Sequence, residues 1–543
     1  MNDILRRLLS RTRTIPTWVW ILTAILAVGI VLRTYHFREW MTFNPDQARD
    51  ALLVQDVLAG RAPLPLLGPQ AGNTAFKLGP IFYHFEIVSA KLFGTDAVSM
   101  AYPDLMFSIL TMPLLFAFLL NFFGKRLALV LTALYSVSFF IVTYSRFAFN
   151  PNSIPFFTLL FLTGLLAIMN AGKSEKLSSA SMAGIAMGVG IQLHALLLVA
   201  MPIVAATVFI FQFARSRFVW KSALTMLACS LLMNIPQIVD GSQAGGSNFR
   251  AFVGGAGAET RSSDSKLARN TVNDISCHIQ GVAYIATGIG NGDKCDLMNL
   301  RSRIASKGIR TNVEDIVIAA IGVLLYVGGS ALLVIRARRE TDEQKRNFLL
   351  LCGSYSLVVF LIFIPVSASV SIRYFIVIAF VPFLFIGLWI RVIADRFQEK
   401  VAKSVCLLAM VGFATSNVSS ISDAVAKLSD GSASTVDVAV YGEVERMGSY
   451  IMDGNVSDRE IYLSGGSKYL KRFYMPLKYF AARGGIVLTK VDSERPVDPN
   501  VPMYSITKRR PGTVSSGVDV TLRRDFGNVS IVRVETSGAE SDE

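Results

Sequence analysis

The sequence predicts an all-α polytopic membrane protein of about eleven transmembrane helices, with a small α/β domain at its C-terminal end. Hydrophobic residues make up 52% of the 543 residues and charged residues only 17%, against about 25% charged in a typical soluble protein. The apolar residues are gathered in runs of membrane-spanning length, and Lys and Arg are concentrated between alternate runs. A soluble globular enzyme and a disordered chain are both excluded, because so few charges cannot cover so much apolar surface.

The apolar runs predict the number of spans. A helix needs about 17–25 mainly apolar residues to cross a bilayer. Eleven runs come close to that length, near 17–34, 103–122, 127–144, 153–170, 179–193, 195–213, 221–239, 314–335, 348–366, 373–391 and 403–419.

The basic residues predict the orientation of the chain. Arg6, Arg7, Arg11 and Arg13 precede the first run, and every second loop after it is rich in Lys and Arg. Because basic loops stay on the cytoplasmic side, we expect a multi-pass protein of the cytoplasmic (inner) membrane with a cytoplasmic N-terminus. This topology accounts for the net charge of +14, so no nucleic-acid partner is predicted.

Three long segments then lie on the outer face. They are a first loop over about 35–102, a second loop over about 240–313, and a tail over about 420–543. We therefore divide the chain into a transmembrane module, 1–419, and an extracytoplasmic domain, 420–543.

The first outer loop is predicted to form two amphipathic helices at the membrane interface. Asn44-Pro45 is a good helix start, because Asn caps helices and Pro fits the first turn. A second helix follows Gly79-Pro80 and ends at Phe93-Gly94. The apolar stripe of the first helix contains Ala48, Leu52, Leu53 and Val57.

The tail has a mixed pattern that predicts a small α/β domain. Its predicted strands are 459–463, 486–490 and a final hairpin of 518–522 with 529–534, and its predicted helices are about 440–453 and 467–482.

Four motifs occur in order on the predicted outer face. They are Phe43–Asp50 with an acid at Asp46, Leu78–His84, Tyr144–Asn152 with a Ser-Arg pair, and Ser371–Phe375 with an Arg-Tyr pair. Their order and common side resemble the GT-C superfamily of polytopic glycosyltransferases. The branches it most resembles are the protein mannosyltransferases and the aminoarabinose and RgtA/B/C/D-like transferases.

The resemblance implies an enzyme that transfers a hexosyl or pentosyl group from a polyprenyl-phosphate carrier, with inversion, to a lipid, glycan or protein acceptor. Its donor and its surroundings are membrane lipids. Asp46 is then the candidate catalytic base, because an acid in the first turn of a helix stays ionised. Gln47 stands where the family usually has a second acid. The alternative for Asp46 is a helix-capping charge.

The leaving phosphate requires positive charge. Arg373 and Arg146 are the rare cations of the short outer turns, and Lys77 is a third candidate for the donor phosphate. The alternative for the two arginines is snorkelling to the interface, which is common near helix ends. Other polar residues of the same motifs and turns are candidate substrate contacts: Gln47, Tyr83, His84, Tyr144, Asn150, His194 and Tyr374.

Cysteine and histidine spacing predicts no metal site. The resemblance implies that no cofactor is required, with a divalent cation at Asp46 left open. Cys277 and Cys295 share the second outer loop, where a disulfide is an open alternative to free thiols. Two other functions stay open: an oligosaccharide ligase or polymerase that uses a lipid-linked glycan, and a membrane transporter or flippase.

Overall fold

The structure is a computed structural model. It describes residues 15–72, 74–261, 267–290, 295, 297–307, 312–453, 460–491, 498, 500–509 and 522–534. The four arginines before the first run and residues 459 and 518–521 of the predicted strands lie outside the described residues.

Helices dominate the described chain. The first half contains α1 Thr17–Thr34, α2 Pro45–Leu58, α3 Ile81–Phe93, α4 Ala97–Met100, α5 Tyr102–Leu119, α6 Lys125–Val137, α7 Phe139–Thr143, α8 Ile154–Asn170, α9 Leu177–Leu193, α10 Ala195–Ala214, α11 Trp220–Met233, α12 Ile235–Gln243 and α13 Ser247–Arg261. The second half contains α14 Leu267–Thr287, α15 Leu300–Lys307, α16 Val313–Gly322, α17 Gly329–Arg339, α18 Glu343–Phe363, α19 Val381–Arg396, α20 Glu399–Ser429, α21 Tyr441–Asp453 and α22 Ser467–Arg483. A π-helical turn, Val323–Gly328, joins α16 to α17, and short 3₁₀ segments occupy Leu297–Asn299, Ile364–Ser369 and Ile372–Ile378.

Length and composition identify six to eight membrane-spanning helices among the described residues. Six pass without interruption: Thr17–Thr34, Ala97–Leu119, Ala195–Ala214, Val313–Arg339, Glu343–Ser367 and Glu399–Ser429. Two further spans are bent, by 63° between α11 and α12 and by 64° between Ile372–Ile378 and α19. The remaining predicted runs fall on the shorter apolar helices α8 and α9 and on the pair α6 and α7. The count of eleven spans and the orientation of the termini stay predictions.

The break between α6 and α7 shows why apolar runs do not give a span count. Ser138, at the break, donates its hydroxyl to the Ile285 carbonyl at 2.7 Å. The Phe139 N–H donates to Oδ1 of Asn417 at 2.8 Å. Because a distant side chain satisfies the Phe139 N–H that the break leaves without a helical partner, the interruption is not visible in the hydropathy of the sequence.

The two helices of the first loop are confirmed. Helix α2 starts at Pro45 and α3 starts at Ile81. Gly79 is required before α3, since a Cβ there would overlap the side chain of Gln192. Oε1 of Gln192 in turn accepts a hydrogen bond from the Ile81 N–H at 3.2 Å.

The face of α2 that packs on the protein differs in part from the predicted apolar stripe. Ala48 is buried, but Leu52, Leu53 and Val57 are only half-buried. Residues Gln47, Asp50, Ala51 and Val54 form the rest of the buried face. The helix is rotated in this way because polar partners on α3 and on the 144–152 loop, together with α22 of the tail, cover that face.

The tail contains a five-stranded sheet, as a predicted α/β domain requires. Its strands are β1 Glu460–Gly465, β2 Val487–Lys490, β3 Met503–Lys508, β4 Leu522–Phe526 and β5 Val529–Val534, in the order β2-β1-β3-β5-β4. β1 pairs in parallel with β2 and β3, and the pairs β3–β5 and β4–β5 are antiparallel. The central strand β3 is absent from the predictions. The helix α20 continues past the predicted boundary at 419.

Candidate active site

Asp46, the candidate base, lies in the first turn of α2. Pro45 occupies the first helical position, where its missing N–H costs no hydrogen bond, and the Asn44 N–H donates to Oε1 of Gln47 at 3.1 Å. The side chain of Asp46 is 60% exposed. Its Oδ1 accepts from Nη1 of Arg49 at 2.9 Å. The carboxylate therefore lies at the surface and is oriented by one arginine.

Arg49 also binds a second, buried carboxylate, that of Asp50. Nε and Nη2 of Arg49 lie 2.9 and 2.8 Å from Oδ1 of Asp50, and the Tyr83 hydroxyl donates to the same oxygen at 3.0 Å. Burial outweighs these contacts and raises the pKa of Asp50 to about 6. Burial and the neighbouring carboxyl groups raise the pKa of Glu86, on α3, well above its ordinary value. Asp50 and Glu86 are therefore buried acids with raised pKa values, whereas the Asp46 carboxylate is exposed.

Gln47, at the position of the second family acid, ties α2 to the loop 144–152. Its Nε2 donates to the Ala148 carbonyl at 2.9 Å, and the side chain is buried. Nδ2 of Asn150, in the same loop, donates to the Leu193 carbonyl at 2.6 Å and joins the loop to the turn before α10. Both predicted substrate contacts therefore have partners in the protein framework.

Arg373 and Tyr374 lie on the 3₁₀ segment Ile372–Ile378. The Arg373 side chain is exposed, and its guanidinium lies over the Tyr374 ring, 5.3 Å from the ring centre. The Asp46 carboxylate and the Tyr144 hydroxyl are within electrostatic range of Arg373. The structure thus brings the predicted base and one predicted phosphate ligand to the same surface.

His194 completes this surface from the turn between α9 and α10. Its ring packs edge to face on Tyr374, with centres 5.4 Å apart. Nδ1 accepts from the Leu196 N–H at 3.2 Å, so the hydrogen of the neutral ring lies on Nε2. Burial and the charge of Arg373 lower the pKa of His194 to about 4. The imidazole is therefore neutral at pH 7 and offers an N–H donor.

Arg146 is engaged elsewhere. Its guanidinium donates to the carbonyls of Leu32, Tyr35 and His36 at 3.0, 2.7 and 3.2 Å. These carbonyls lie in and just after the last turn of α1, where backbone acceptors lack helical partners and a cation is favoured. Helix capping is the role that this geometry supports, and a contact with the donor phosphate stays a prediction.

Lys77 and His84 also lie apart from Asp46 in the described contacts. The backbone N–H and carbonyl of Lys77 bond the side chain of Asn248 at 2.8 and 2.9 Å, and the lysine side chain is exposed. Nε2 of His84 lies 3.1 Å from the Pro65 carbonyl. Lys77 stays a predicted ligand of the donor phosphate, and His84 stays a predicted substrate contact.

A buried acid–histidine pair on α14 is absent from the predictions. Oδ1 of Asp274 lies 3.2 Å from Nδ1 of His278, and neither side chain is exposed by more than 1%. The His278 ring stacks on Tyr326 and packs edge to face on Phe375, with centres 5.0 and 4.8 Å away. Phe375 follows Arg373 by two residues, so this pair lies beneath the segment that carries Arg373. The four-residue spacing on one helix face was the available signal.

Cys277 and Cys295 are free thiols. They are hydrogen bonded to each other, and this contact together with burial raises the pKa of Cys277. Among the described residues, no group of three or more His, Cys, Asp or Glu side chains is arranged to hold a metal ion.

The chain matches the model of the PMT_2 family, described as dolichyl-phosphate-mannose-protein mannosyltransferase, over residues 77–239. No curated protein sequence matches it. The matched stretch contains the second and third motifs of the predicted site.

Solved structures show the same fold. The oligosaccharyltransferase of Archaeoglobus fulgidus, in complex with Zn and sulfate, is 12% identical with a TM-score of 0.52, and the match covers 86% of this chain and 62% of that one. The chain thus spans less than two thirds of that transferase. ArnT from Cupriavidus metallidurans in the apo state is 12% identical with a TM-score of 0.50, covering 95% of this chain and 98% of ArnT. A second ArnT structure, bound to undecaprenyl phosphate, is 14% identical with a TM-score of 0.47, covering 96% and 98%. The predicted GT-C resemblance is confirmed by the family match and the fold.

Proposed function

We propose that this chain is a GT-C glycosyltransferase that transfers a sugar from a polyprenyl-phosphate carrier, with inversion, to a lipid, glycan or protein acceptor on the outer face of the cytoplasmic membrane. One observation carries the proposal. On a GT-C fold, the exposed carboxylate of Asp46 and the exposed guanidinium of Arg373 lie within electrostatic range of each other. The polyprenyl-phosphate donor is proposed by analogy with ArnT, which has been crystallised with undecaprenyl phosphate.

The proposed reaction is a single displacement. Asp46 accepts the proton of the acceptor hydroxyl as its oxygen bonds to the anomeric carbon. The bond between that carbon and the phosphate oxygen breaks, and the phosphate leaves with the bonding electrons. Arg373 stabilises the charge that develops on the phosphate oxygens. Arg49 holds the Asp46 carboxylate in place through the 2.9 Å hydrogen bond.

The side chains around these two groups are proposed to bind the sugar. Tyr144 and Tyr374 offer hydroxyl groups and aromatic faces beside Arg373, and neutral His194 offers its Nε2–H. Tyr83 is proposed to act indirectly, because its hydroxyl group is hydrogen bonded to Asp50.

The substitution Asp46→Asn tests the base. Removal of a general base lowers turnover by about 10²–10⁴-fold. Asp56→Asn is the matched control, since Asp56 is also exposed on α2 and paired with an arginine, Arg61, at 2.7 Å. The assay follows labelled sugar from undecaprenyl-phosphate donors into membrane-extract acceptors, with the full chain in nanodiscs. Full transfer by the Asp46→Asn variant would exclude Asp46 as the base.

Mass analysis of the lipid product separates the two donor classes. Release of polyprenyl monophosphate after transfer of one sugar supports the proposal. Consumption of a pyrophosphate-linked glycan alone would favour an oligosaccharide ligase, the function of the Archaeoglobus fulgidus protein by its name. Repeating the assay in EDTA tests the proposal that transfer requires no divalent cation.

A further inference from the structure

The segment just before Asp46 is paired with the start of the C-terminal domain. The Phe43 N–H donates to the Ala439 carbonyl at 2.7 Å, and the Tyr441 N–H donates to the Met41 carbonyl at 2.8 Å. These bonds form a short antiparallel pairing between residues about 400 positions apart in the sequence. The candidate base thus lies three residues beyond a contact with the tail.

Asn44 takes part in the same contact. A side chain at the N-cap position usually accepts a hydrogen bond from the first turn of its own helix. Here Oδ1 of Asn44 also accepts from the Ala439 N–H at 2.9 Å. The capping residue of the helix that carries Asp46 therefore binds the tail.

Aromatic packing reinforces the pairing. Phe43 is fully buried. Its ring packs edge to face on Tyr441 and Tyr479, each with centres 5.1 Å apart, and on Phe480 at 5.9 Å. Edge-to-face contacts have preferred orientations, so three of them restrict the direction of the chain that leads to Asp46.

The tail also holds the far end of the first loop. Oδ1 of Asp96, which follows α3, accepts from the Tyr441 hydroxyl at 2.8 Å, and its Oδ2 accepts from Nη1 of Arg38 at 2.9 Å. Arg38 in turn binds Glu445 of α21 at 2.8 Å. These contacts connect both ends of the loop 35–102 to the same domain.

We infer that the C-terminal domain is a fixed positioning element for the catalytic loop and holds Asp46 in place through the segments 41–44 and 439–441. The inference rests on the proposed function, in which Asp46 is the base. We call this pairing, with the contacts that Phe43, Asn44, Asp96 and Ala97 make with the tail, the tail clamp. The tail clamp stays closed during transfer.

An engineered disulfide tests whether the tail clamp stays closed. Thr42 and Val440 face each other in the pairing, between the two backbone hydrogen bonds. A pair in this position has Cα atoms about 4.5 Å apart, which suits a disulfide. The oxidised Thr42→Cys/Val440→Cys enzyme should transfer sugar within twofold of its reduced form. Inhibition that a reductant reverses would overturn the inference, because the tail would then have to move.

Removing two hydroxyl groups tests positioning. Tyr441→Phe removes the bond to Asp96, and Tyr479→Phe removes the acceptor of the Ala97 N–H, 2.9 Å away. We expect the double variant to lose about tenfold in kcat, because small misplacements of catalytic groups are costly, with an unchanged KM for the donor. The disulfide should restore kcat. An unchanged kcat, or a loss that the disulfide does not restore, would overturn the inference.

A matched control separates this effect from general weakening of the domain. The Tyr474 hydroxyl donates to the Leu488 carbonyl at 3.2 Å within the tail. Tyr474→Phe removes one hydrogen bond in the domain but none in the tail clamp. We expect its kcat to match that of the wild type.

Hydrogen exchange separates failure of the inference from failure of the proposed function. The amides of Phe43 and Tyr441 should exchange slowly in the wild type and in the Asp46→Asn variant. Fast exchange at both would overturn the inference whatever Asp46→Asn does to transfer. Full transfer by Asp46→Asn together with slow exchange would refute the base and leave the tail clamp as a structural contact.

Discussion

From the buried carboxyl group of Asp50 we predict how the rate of sugar transfer depends on pH. Its carboxyl group is buried and shares Arg49 with the exposed Asp46. Because the pKa of Asp50 is about 6, lowering the pH below 6 converts Asp50 to its neutral form. The positive charge of Arg49 is then less neutralised and stabilises the ionised form of Asp46 more strongly. We expect a weaker base and slower transfer.

The size of the effect follows from the exposure of the pair. An exposed ion pair is worth about 1 kcal/mol or less, so a change of that size in the balance around Arg49 alters the basicity of Asp46 by at most about fivefold. The substitution Asp50→Asn imitates the neutral form at every pH. It should lower the transfer rate at pH 7.5 by up to about fivefold and remove the fall near pH 6.

As the pH falls, the stability of the folded protein should rise while the transfer rate falls. The pKa of Asp50 is raised from 3.8 to about 6 in the folded protein, so between these values the folded state binds more protons than the unfolded state. The contribution of Asp50 to the free energy of unfolding therefore falls as the pH rises from 4 to 6 and is level above 6. Asp50 contributes at most about 3 kcal/mol to this fall, and Glu86 acts in the same direction.

The assay measures transfer rate and thermal midpoint for the wild type and the Asp50→Asn variant from pH 5 to 8. The wild type should become slower but more heat-resistant as the pH falls from 6.5 to 5. In the variant the rate should no longer fall near pH 6, and the stability trend should be weaker, with its remaining pH dependence coming from Glu86 and other acids. An Asp50→Asn rate profile that still falls near pH 6 would refute the role of Asp50.

Two further contrasts test the framework of the site. Arg373→Ala should raise the concentration of undecaprenyl phosphate needed for half-saturation by about tenfold, since a hydrogen bond to a charged group contributes about 1.5–3 kcal/mol, and should leave the thermal midpoint unchanged. Arg146→Ala should instead lower the thermal midpoint and leave lipid binding unchanged, and the reverse pattern would exchange the two assignments. Gln47→Glu restores the family acid but removes the donor to the Ala148 carbonyl, so we expect a loss of about 1–3 kcal/mol in unfolding free energy and no gain in transfer. A thermal midpoint equal to the wild type would show that this hydrogen bond contributes little.

Local signals in the sequence predicted the elements whose causes are local. The starts of α2 and α3 follow from Asn44-Pro45 and Gly79-Pro80, and the structure has both. The bend after α11 and the break at Ser138 depend on tertiary hydrogen bonds, so the apolar runs did not reveal them. Strand β3 was missed because three of its six residues are the polar Ser505, Thr507 and Lys508. Its position between β1 and β5 supplies the pairing that its own sequence does not predict.

The candidate site likewise contains residues that local motifs predict and contacts that depend on the tertiary structure. Motifs predicted roles for Asp46 and Arg373, which stay predictions, and in the structure the two side chains are within electrostatic range of each other. The carbonyls that bind Arg146 were not foreseeable, because they lie more than 100 residues away. The pair Asp274 and His278 differs from these carbonyls, since its four-residue spacing is visible in the sequence. The aromatic rings that bury His278 come from three other segments.

The contact between the tail and the segment 41–44, just before Asp46, is the feature that the sequence pattern predicts least. A boundary at 419 treats the tail as a separate domain, yet Phe43 is fully buried and packs on Tyr441, Tyr479 and Phe480 of the tail. Without the tail, Phe43 would be exposed, and the backbone groups of the segment 41–44 would lose their hydrogen-bond partners. Buried backbone groups need such partners, so the loop and the tail must fold against each other. The geometry of Asp46, the proposed base, is consequently a property of both parts of the chain.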